Sequence, residues 1–232
     1  MLVNAKRVEK WIVDAFAMSL LSGLRHGEVL GLRGSTIDRD RKAMLVDRAV
    51  AHRARALNEQ GIPSGEVLPV ALSFVKGGSR TNPKSRYVPI TEQLAKVLDG
   101  MDIQADELVF SSEDGGLKQP KRFQDTFTNF RKRMNEVAKR RESRFSAMNE
   151  VVKEVEDRQL KVPDVWDRIQ FRDTRNSFIS YANEVGVPAP TQMALLGHAG
   201  TSVTFRSYTD ITEAAFEDSR KRLSNGWKLT AF

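Results

Sequence analysis

The chain has 232 residues, of which 40% are hydrophobic and none is cysteine. This length and composition predict a globular core and exclude a disulfide framework and thiolate metal sites. Lysine and arginine total 37 against 30 acidic residues, and the net charge of +7 favours a polyanionic partner, most often a nucleic acid. The sequence has neither a signal-peptide pattern nor an apolar stretch near the roughly 20 residues that span a bilayer. We therefore expect a cytoplasmic protein with no membrane partner.

The first third of the chain is predicted to pass from helices into strands. Apolar residues recur at helical spacing over residues 8–24, and a second helix is predicted over 28–32. Residues 43–51 predict a strand. The polar residues 52–66 contain two glycines and a proline, and they predict a loop.

A hairpin and a capped helix are predicted next. Residues 67–76 and 86–90 have the composition of two strands that pair with each other across a turn at 77–85. Thr91 is a suitable N-cap for a helix that extends through Leu98.

The rest of the chain is predicted to be mainly helical. Residues 120–160 indicate a long, charged helical stretch that Pro163 interrupts, and residues 131–165 suit one helix, two helices or a partly mobile insertion. Further helices are predicted over residues 173–184, 189–196 and 212–223. Because no repeat or low-complexity linker divides the chain, we predict a single domain over residues 1–232. Its fold class is mainly α with a small antiparallel β-sheet (α+β).

Arg25 is the first candidate functional residue, in the segment 23–32 with the sequence GLRHGEVLGL. It follows the end of the first predicted helix, where a guanidinium group can point into a cleft and bind a phosphate through two hydrogen bonds. Glu28 lies three residues further on and is placed to orient that guanidinium. The competing interpretation is a surface arginine in an i,i+3 salt bridge.

Arg172 and Arg175 form a second basic pair, in the segment 172–178 with the sequence RDTRNSF. They are three residues apart at a predicted helix start, so we expect both side chains to face the same way. A helix N-terminus also favours an anion. The competing interpretation is a solvated basic turn in which Asp173 pairs with one of the arginines.

His198 and Tyr208 complete the set of candidate groups. His198 is predicted to lie in a loop after a buried helix, and Tyr208 follows ten residues later. A tyrosine acts as a nucleophile only where a base or a positive charge helps to remove its proton, and nearby arginines would provide that charge. The competing interpretations are a structural histidine and a packed tyrosine. Three histidines without suitably spaced carboxylates do not predict a metal site.

Taken together, these segments resemble the catalytic domain of the tyrosine recombinase (phage integrase) family. Segment 23–32 resembles the family's first arginine motif, and segment 172–178 resembles its His-x-x-Arg motif. Segments 196–198 (LGH) and 204–208 (TFRSY) resemble its third motif and its tyrosine motif. The order and spacing agree from about residue 8 to residue 223. The resemblance implies a site-specific recombinase or integrase that acts on DNA without a metal or another cofactor.

The resemblance also implies a role for each residue. Arg25 and Arg175 would hold the scissile phosphate and stabilise its transition state. Tyr208 would attack the phosphorus to form a 3′-phosphotyrosine link, and His198 would donate a hydrogen bond to the phosphate. A lysine would protonate the leaving oxygen. We favour Lys76 at the end of the first predicted hairpin strand, with Lys84 as the alternative.

Two departures from the family pattern affect these expectations. Arg172 occupies the position of the family's histidine and cannot accept a proton from Tyr208, because a guanidinium group is already protonated. Activity with Arg172 as a phosphate ligand is one reading. A non-catalytic DNA-binding relative and a type IB topoisomerase-like enzyme are the alternatives. The first arginine motif also begins at residue 23, so we expect the catalytic domain without the family's N-terminal core-binding domain, either excised or naturally minimal.

The resemblance further implies the macromolecular partners. These are double-stranded DNA and, on that DNA, further copies of the chain in a tetramer, whereas the protein alone is expected to be a monomer. The segment 211–223 is amphipathic and would dock on a neighbouring protomer or pack on its own core. Lys121, Arg122 and Arg131 are predicted to contact DNA phosphates, with a solvated helix face as the alternative.

Overall fold

The computed structural model describes residues 9–51, 55–57, 63–67, 71–75, 85–140, 166, 168–197 and 211–226. Within these ranges, the helices are α1 (Lys10–Ser22), α2 (His26–Leu30), α3 (Glu92–Asp99), α4 (Pro120–Arg140), α5 (Asp173–Glu184), α6 (Ala189–Leu196) and α7 (Glu213–Gly226). The strands in the same ranges are β1 (Ile37–Asp38), β2 (Ala43–Val46), β3 (Arg48–Val50), β4 (Arg55–Leu57), β5 (Pro63–Val67), β6 (Leu72–Phe74) and β7 (Arg86–Pro89). A 3₁₀ turn at Gly34–Thr36 leads from α2 into β1. The predicted fold class, mainly helical with antiparallel sheet, is confirmed.

The helix predictions agree well with the structure. Residues 8–24 contain α1, the helix predicted over 28–32 lies two residues earlier as α2, and the three helices after residue 170 lie close to their predicted bounds. Thr91 caps α3 as predicted, because its side chain accepts a hydrogen bond from the Leu94 amide at 3.2 Å. The helix predicted over 120–160 is described as far as Arg140. The continuation to residue 160 and Pro163 lie outside the described residues.

The strands differ from the prediction in number and in pairing. The predicted loop at 52–66 includes β4 and most of β5, which pair with each other. The predicted hairpin is wrong, since β6 pairs antiparallel with β3 and β7 pairs antiparallel with β2. The two halves of the strand predicted at 43–51 thus take different partners. Alternation of apolar and polar residues along a strand shows which face of the strand is buried. It does not show which distant strand pairs with it, so the local pattern could not reveal the pairing partners of these strands.

Two groups of buried side chains form the core. The larger group joins α1, α2, β2, β7, α3 and α4, and it includes an aromatic cluster in which Phe123 meets Phe171 edge to face with ring centroids 4.6 Å apart. The smaller group joins α5, α6 and α7 around Phe178, Leu195 and Leu223. Both groups are apolar and closely packed, so they hold the helices that contribute to them in fixed positions.

Gly23 lies where the two groups of core residues meet. It ends α1 in the left-handed conformation, with φ of 69°, and its amide bonds to the Ser19 carbonyl at 2.8 Å. A Cβ atom at this position would lie 2.7 Å from the Phe178 ring and 2.8 Å from Leu196. Only glycine satisfies both the backbone angle and the close approach. The end of α1 is therefore held against α5 and α6.

A buried pair of hydroxyl groups fixes the contact between α1 and α5. Ser19 Oγ lies 2.5 Å from Thr174 Oγ1, and the Ser19 hydroxyl also bonds to the Leu24 carbonyl at 2.7 Å. Thr174 in turn bonds to the Phe171 carbonyl at 2.7 Å, within the first turn of α5. The two hydroxyls carry two protons for these three contacts, so one of the three lacks a donor at any moment. The contact still joins the chain that leaves α1 to the chain that enters α5, side by side.

Candidate active site

The site is built around the carboxylate of Glu28 in α2. This residue is 1% exposed. Its carboxylate accepts hydrogen bonds from the Arg25 amide at 2.9 Å and from Arg25 Nη1 at 3.0 Å. It also accepts bonds from Arg86 Nη1 at 3.2 Å and from Arg86 Nη2 at 2.8 Å. The contact expected between Glu28 and Arg25 is present, and a second arginine, from β7, shares the carboxylate.

Two guanidinium groups hold the last carbonyl groups of α6. Arg175 Nη2 donates to the Leu196 carbonyl at 2.7 Å, and Arg86 Nε donates to the Leu195 carbonyl at 2.6 Å. Carbonyl groups in the last turn of a helix lack partners within the helix and carry partial negative charge, so they suit cations. Arg175 Nη1 also donates to the Gly23 carbonyl at 2.6 Å. Arg175 therefore joins the loop that carries Arg25 to the end of α6.

Among the described residues, the cluster holds three arginines and one carboxylate, a net charge of +2. Burial and the charge of Arg25 lower the pKa of Arg175 to about 10, although the carboxylate of Glu28 acts in the opposite direction. Burial alone would raise the pKa of Glu28, but the charges and hydrogen bonds of Arg86 and Arg25 hold it below its usual range. Arg175 and Glu28 are thus both ionised at neutral pH. A cluster with this excess of positive charge favours an anion beside it.

Arg25 and Arg175 are more accessible to a ligand than Arg86. The Arg25 side chain is 32% exposed and Arg175 is half-buried, whereas the Arg86 side chain is 8% exposed. The bonds above use one guanidinium N–H group of Arg25 and two of Arg175, out of the five that each guanidinium carries. The arrangement can therefore bind an oxyanion through two forked donors, with Arg86 behind them.

The remaining predicted residues are placed differently. Arg172 is exposed at the N-cap of α5, whereas Arg175 is half-buried one turn later. The Asp173 carboxylate accepts a bond from the Gln170 amide at 2.8 Å, which gives it a backbone partner within the turn. Four predicted residues lie outside the described residues: Lys76, Lys84, His198 and Tyr208. Of these, His198 directly follows Gly197, the residue that ends α6.

The three basic residues predicted to contact DNA lie on α4. Lys121 is exposed, and Arg122 bonds to the Glu113 carboxylate at 3.1 Å on the surface. Arg131 is half-buried and donates from Nη1 to the Ile169 carbonyl at 2.6 Å. Arg131 therefore holds the segment before α5 against α4, which occupies part of its guanidinium group.

Sequence reasoning missed Arg86. Its position at the start of a strand next to a polar turn is typical of a solvated basic residue. The only available signal was indirect: Glu28 directly precedes two apolar residues, Val29 and Leu30, that are predicted to face the core. A carboxylate on a buried helix face needs compensating charge, and Arg25, whose side chain is 32% exposed, is only a partly buried partner for it.

Within the described part of the chain, two other kinds of feature are missing. No group of three or more histidine, aspartate or glutamate side chains there could hold a metal ion. Nor do the helices described include one with the length and apolar character needed to cross a bilayer.

Comparison with known proteins identifies the family. The family model described as Phage integrase family matches residues 2–215. No curated protein matches the chain. Solved structures of the Tn1549 transposon integrase in complex with circular intermediate DNA have TM-scores of 0.54 at 15% and 16% sequence identity, and a variant of that integrase with transposon right end DNA has the same score at 16% identity.

The solved structures agree with the chain in fold. The alignments cover 95% of this chain and 61% to 62% of the solved chains, so the chain spans about three fifths of their length. The fold is thus that of solved integrase structures, and the resemblance inferred from the four sequence motifs is confirmed. The family model covers most of this chain, so the chain belongs to the phage integrase family.

Proposed function

We propose that this protein is a tyrosine recombinase that cleaves and rejoins double-stranded DNA at specific sites through a 3′-phosphotyrosine intermediate. The observation that carries the proposal is the convergence of Arg25 and Arg175, which are 150 residues apart in the sequence, on one cluster with an excess of positive charge. Structures of similar fold contain a transposon integrase bound to DNA, which supports DNA as the partner.

The proposed chemistry uses the arginines for charge stabilisation. Arg25 and Arg175 bind the two non-bridging oxygens of the scissile phosphate and stabilise the charge that grows on them in the transition state. The Tyr208 oxygen attacks phosphorus and its bond forms as the bond to the 5′ oxygen breaks. Lys76, or Lys84, gives a proton to that 5′ oxygen, and His198 donates a hydrogen bond to the phosphate. Attack by the 5′ hydroxyl on the phosphotyrosine then restores the DNA strand.

The proton of Tyr208 needs an acceptor other than Arg172. A guanidinium group stays protonated at neutral pH, so we assign Arg172 to phosphate binding and the proton to solvent. The positive charge of the arginine cluster would lower the pKa of the tyrosine hydroxyl and thereby assist this step. Strand cleavage and strand rejoining use residues of this chain together with solvent, and the scheme requires no metal or other cofactor.

Covalent trapping tests the proposal. The purified protein is incubated with duplexes of randomised sequence that carry a nick near each potential cleavage position, so that the short cleaved product diffuses away and religation fails. We expect a protein–DNA adduct that survives denaturing electrophoresis, and sequencing of the trapped DNA gives the preferred site. Tyr208→Phe should abolish the adduct, whereas Tyr87→Phe is the control because Tyr87 is half exposed on β7, outside the arginine cluster. Absence of an adduct, or an adduct that persists in Tyr208→Phe, contradicts the proposal.

The same assay separates two alternatives. Arg172 favours a non-catalytic DNA-binding relative, which would bind the duplexes without forming an adduct and would gain an adduct on Arg172→His substitution. A type IB topoisomerase-like enzyme would instead relax supercoiled plasmid without any sequence requirement. We expect neither result.

Sedimentation tests the oligomeric state. We propose that the protein is a monomer alone and forms a tetramer on two duplexes, which sedimentation with and without the trapped DNA would reveal.

The salt dependence of DNA affinity tests the predicted contacts on α4. If Lys121 contacts a phosphate, Lys121→Gln should reduce the slope of log affinity against log salt concentration by about 1. An unchanged slope would assign Lys121 to the solvated face of α4.

A further inference from the structure

We propose that Arg86 is a positioning residue of this site, which fixes the Arg25 loop and the end of α6 relative to each other. The inference rests on the proposed function, because it assigns a role in the same phosphate site. Arg86 belongs to none of the four motifs that indicated the family, and its role follows from its contacts alone.

Arg86 binds two separate elements through one planar group. Nη1 and Nη2 reach the two oxygens of Glu28, at 3.2 and 2.8 Å, while Nε reaches the Leu195 carbonyl at 2.6 Å. This arrangement uses the fork of the guanidinium group, with donors that diverge at fixed angles. A lysine ammonium could keep the charge but could not reproduce both sets of contacts with the same geometry.

The contacts of Arg86 continue to the residue before His198. Gly197 has φ of 63°, and a Cβ atom there would lie 2.9 Å from Arg86 Nη1 and 3.2 Å from Arg86 Cδ. The backbone of Gly197 is therefore packed directly on the guanidinium group. Together with the bond from Arg175 to the Leu196 carbonyl, this places residues 195–197 in contact with two arginines. Arg86 thus restrains the point from which the chain continues to His198.

Burial excludes a direct contact with the DNA backbone for most of this side chain. The Arg86 side chain is 8% exposed, and its polar atoms are committed to Glu28 and Leu195. Its loss would free one side of the Glu28 carboxylate, which also orients Arg25. We therefore expect Arg86 to affect the geometry of the transition state more than the affinity for DNA, since misplacement of a catalytic group by about 1 Å can reduce a rate about 100-fold.

Single-turnover cleavage of the trapped DNA site tests this role. Arg86→Gln should lower the cleavage rate about 100-fold with little change in DNA affinity, and Arg86→Lys should recover part of the rate. Arg33→Gln is the matched control, because Arg33 makes the same kind of bond to a carboxylate, that of Asp47 at 2.8 Å, and neither residue belongs to the cluster. Combining Arg86→Gln with Glu28→Gln should cost little more than either change alone, because both break the same contact. A wild-type rate in Arg86→Gln, or a rate loss that Arg33→Gln shares, would overturn the proposal.

A measurement without DNA keeps this inference separate from the proposed function. The Glu28 carboxyl group is titrated by carbon NMR in protein labelled at glutamate. Arg86→Gln should raise the pKa of Glu28, and Arg33→Gln should leave it unchanged. If the wild-type protein never forms an adduct while this pKa shift appears, the function fails but the coupling between Arg86 and Glu28 holds. If the pKa of Glu28 stays the same in Arg86→Gln, or in the equally uncharged Arg86→Met should the glutamine variant not fold, the positioning role is refuted.

Discussion

Replacement of Glu28 by glutamine tests whether the carboxylate holds the arginine cluster together. The substitution preserves shape and removes one charge. The carboxylate accepts four hydrogen bonds from two arginines. The amide offers a single oxygen as acceptor, and its NH₂ group would face guanidinium N–H groups, donor against donor. The variant therefore leaves at least one buried donor without a partner.

The expected loss follows from the burial of both partners. Glu28 and Arg86 are 2% and 8% exposed at their side chains, so the pair lies within the protein rather than at its surface. Removing one partner of a buried ion pair costs about 3–5 kcal/mol, because the other charge stays buried without compensation. For a chain of this length that loss lowers Tm by roughly 6–20 °C.

Urea denaturation and thermal unfolding at neutral pH measure this loss. Glu217→Gln is the matched control, because Glu217 makes the same kind of bidentate contact with Arg220, at 2.6 and 2.7 Å, and its own side chain is 43% exposed. Solvent screens that pair, so we expect only a small change. Equally small losses of unfolding free energy in Glu28→Gln and Glu217→Gln would refute the view that the cluster depends on Glu28.

The pH dependence provides an independent check on Glu28. Its pKa in the folded protein lies below its usual value of 4.5. The stabilisation that Glu28 provides is thus complete above pH 4.5 and is lost as the pH falls through the lower, folded pKa. The gap in unfolding free energy between wild type and Glu28→Gln should accordingly be widest above pH 4.5 and narrow in acid. A gap that widens in acid would contradict the assignment.

Three further substitutions test other features of the site and its support. Thr91→Ala should lower the free energy of unfolding by about 1 kcal/mol in urea denaturation, because the Leu94 amide loses its cap. Gly23→Ala should sharply lower Tm, since its Cβ would meet Phe178 at 2.7 Å; an unchanged Tm would contradict the described packing. Sulfate at about ten times its Kd should stabilise the wild type by about 1.4 kcal/mol. Arg175→Met, which experiences the same general salt effect, should show less stabilisation in a thermal-shift assay with sulfate.

The sequence predicted the parts of the site that depend on local pattern. Arg25 and Arg175 lie next to helix ends that apolar periodicity and Gly23 mark clearly, and Glu28 is one helical turn from Arg25. Each of these relations spans only a few residues. Their convergence was inferred from the family resemblance rather than from local spacing.

The parts that could not be predicted depend on pairing between distant segments. β7 lies beside β2 rather than beside β6, and this partner choice brings Arg86 next to Glu28. No short-range rule relates residue 86 to residue 28 or to residue 195. Arg86 therefore has the local sequence signature of a solvated strand end, although its side chain is almost fully buried.

The hydroxyl contact between Ser19 and Thr174 connects the backbone segments that carry Arg25 and Arg175. Thr174 directly precedes Arg175, and Ser19 bonds to the carbonyl of Leu24, which directly precedes Arg25. A displacement of α5 relative to α1 would thus change the distance between the two arginines. Because phosphate chemistry depends on this distance, core substitutions at the contact offer a way to tune the rate without altering any group that touches DNA.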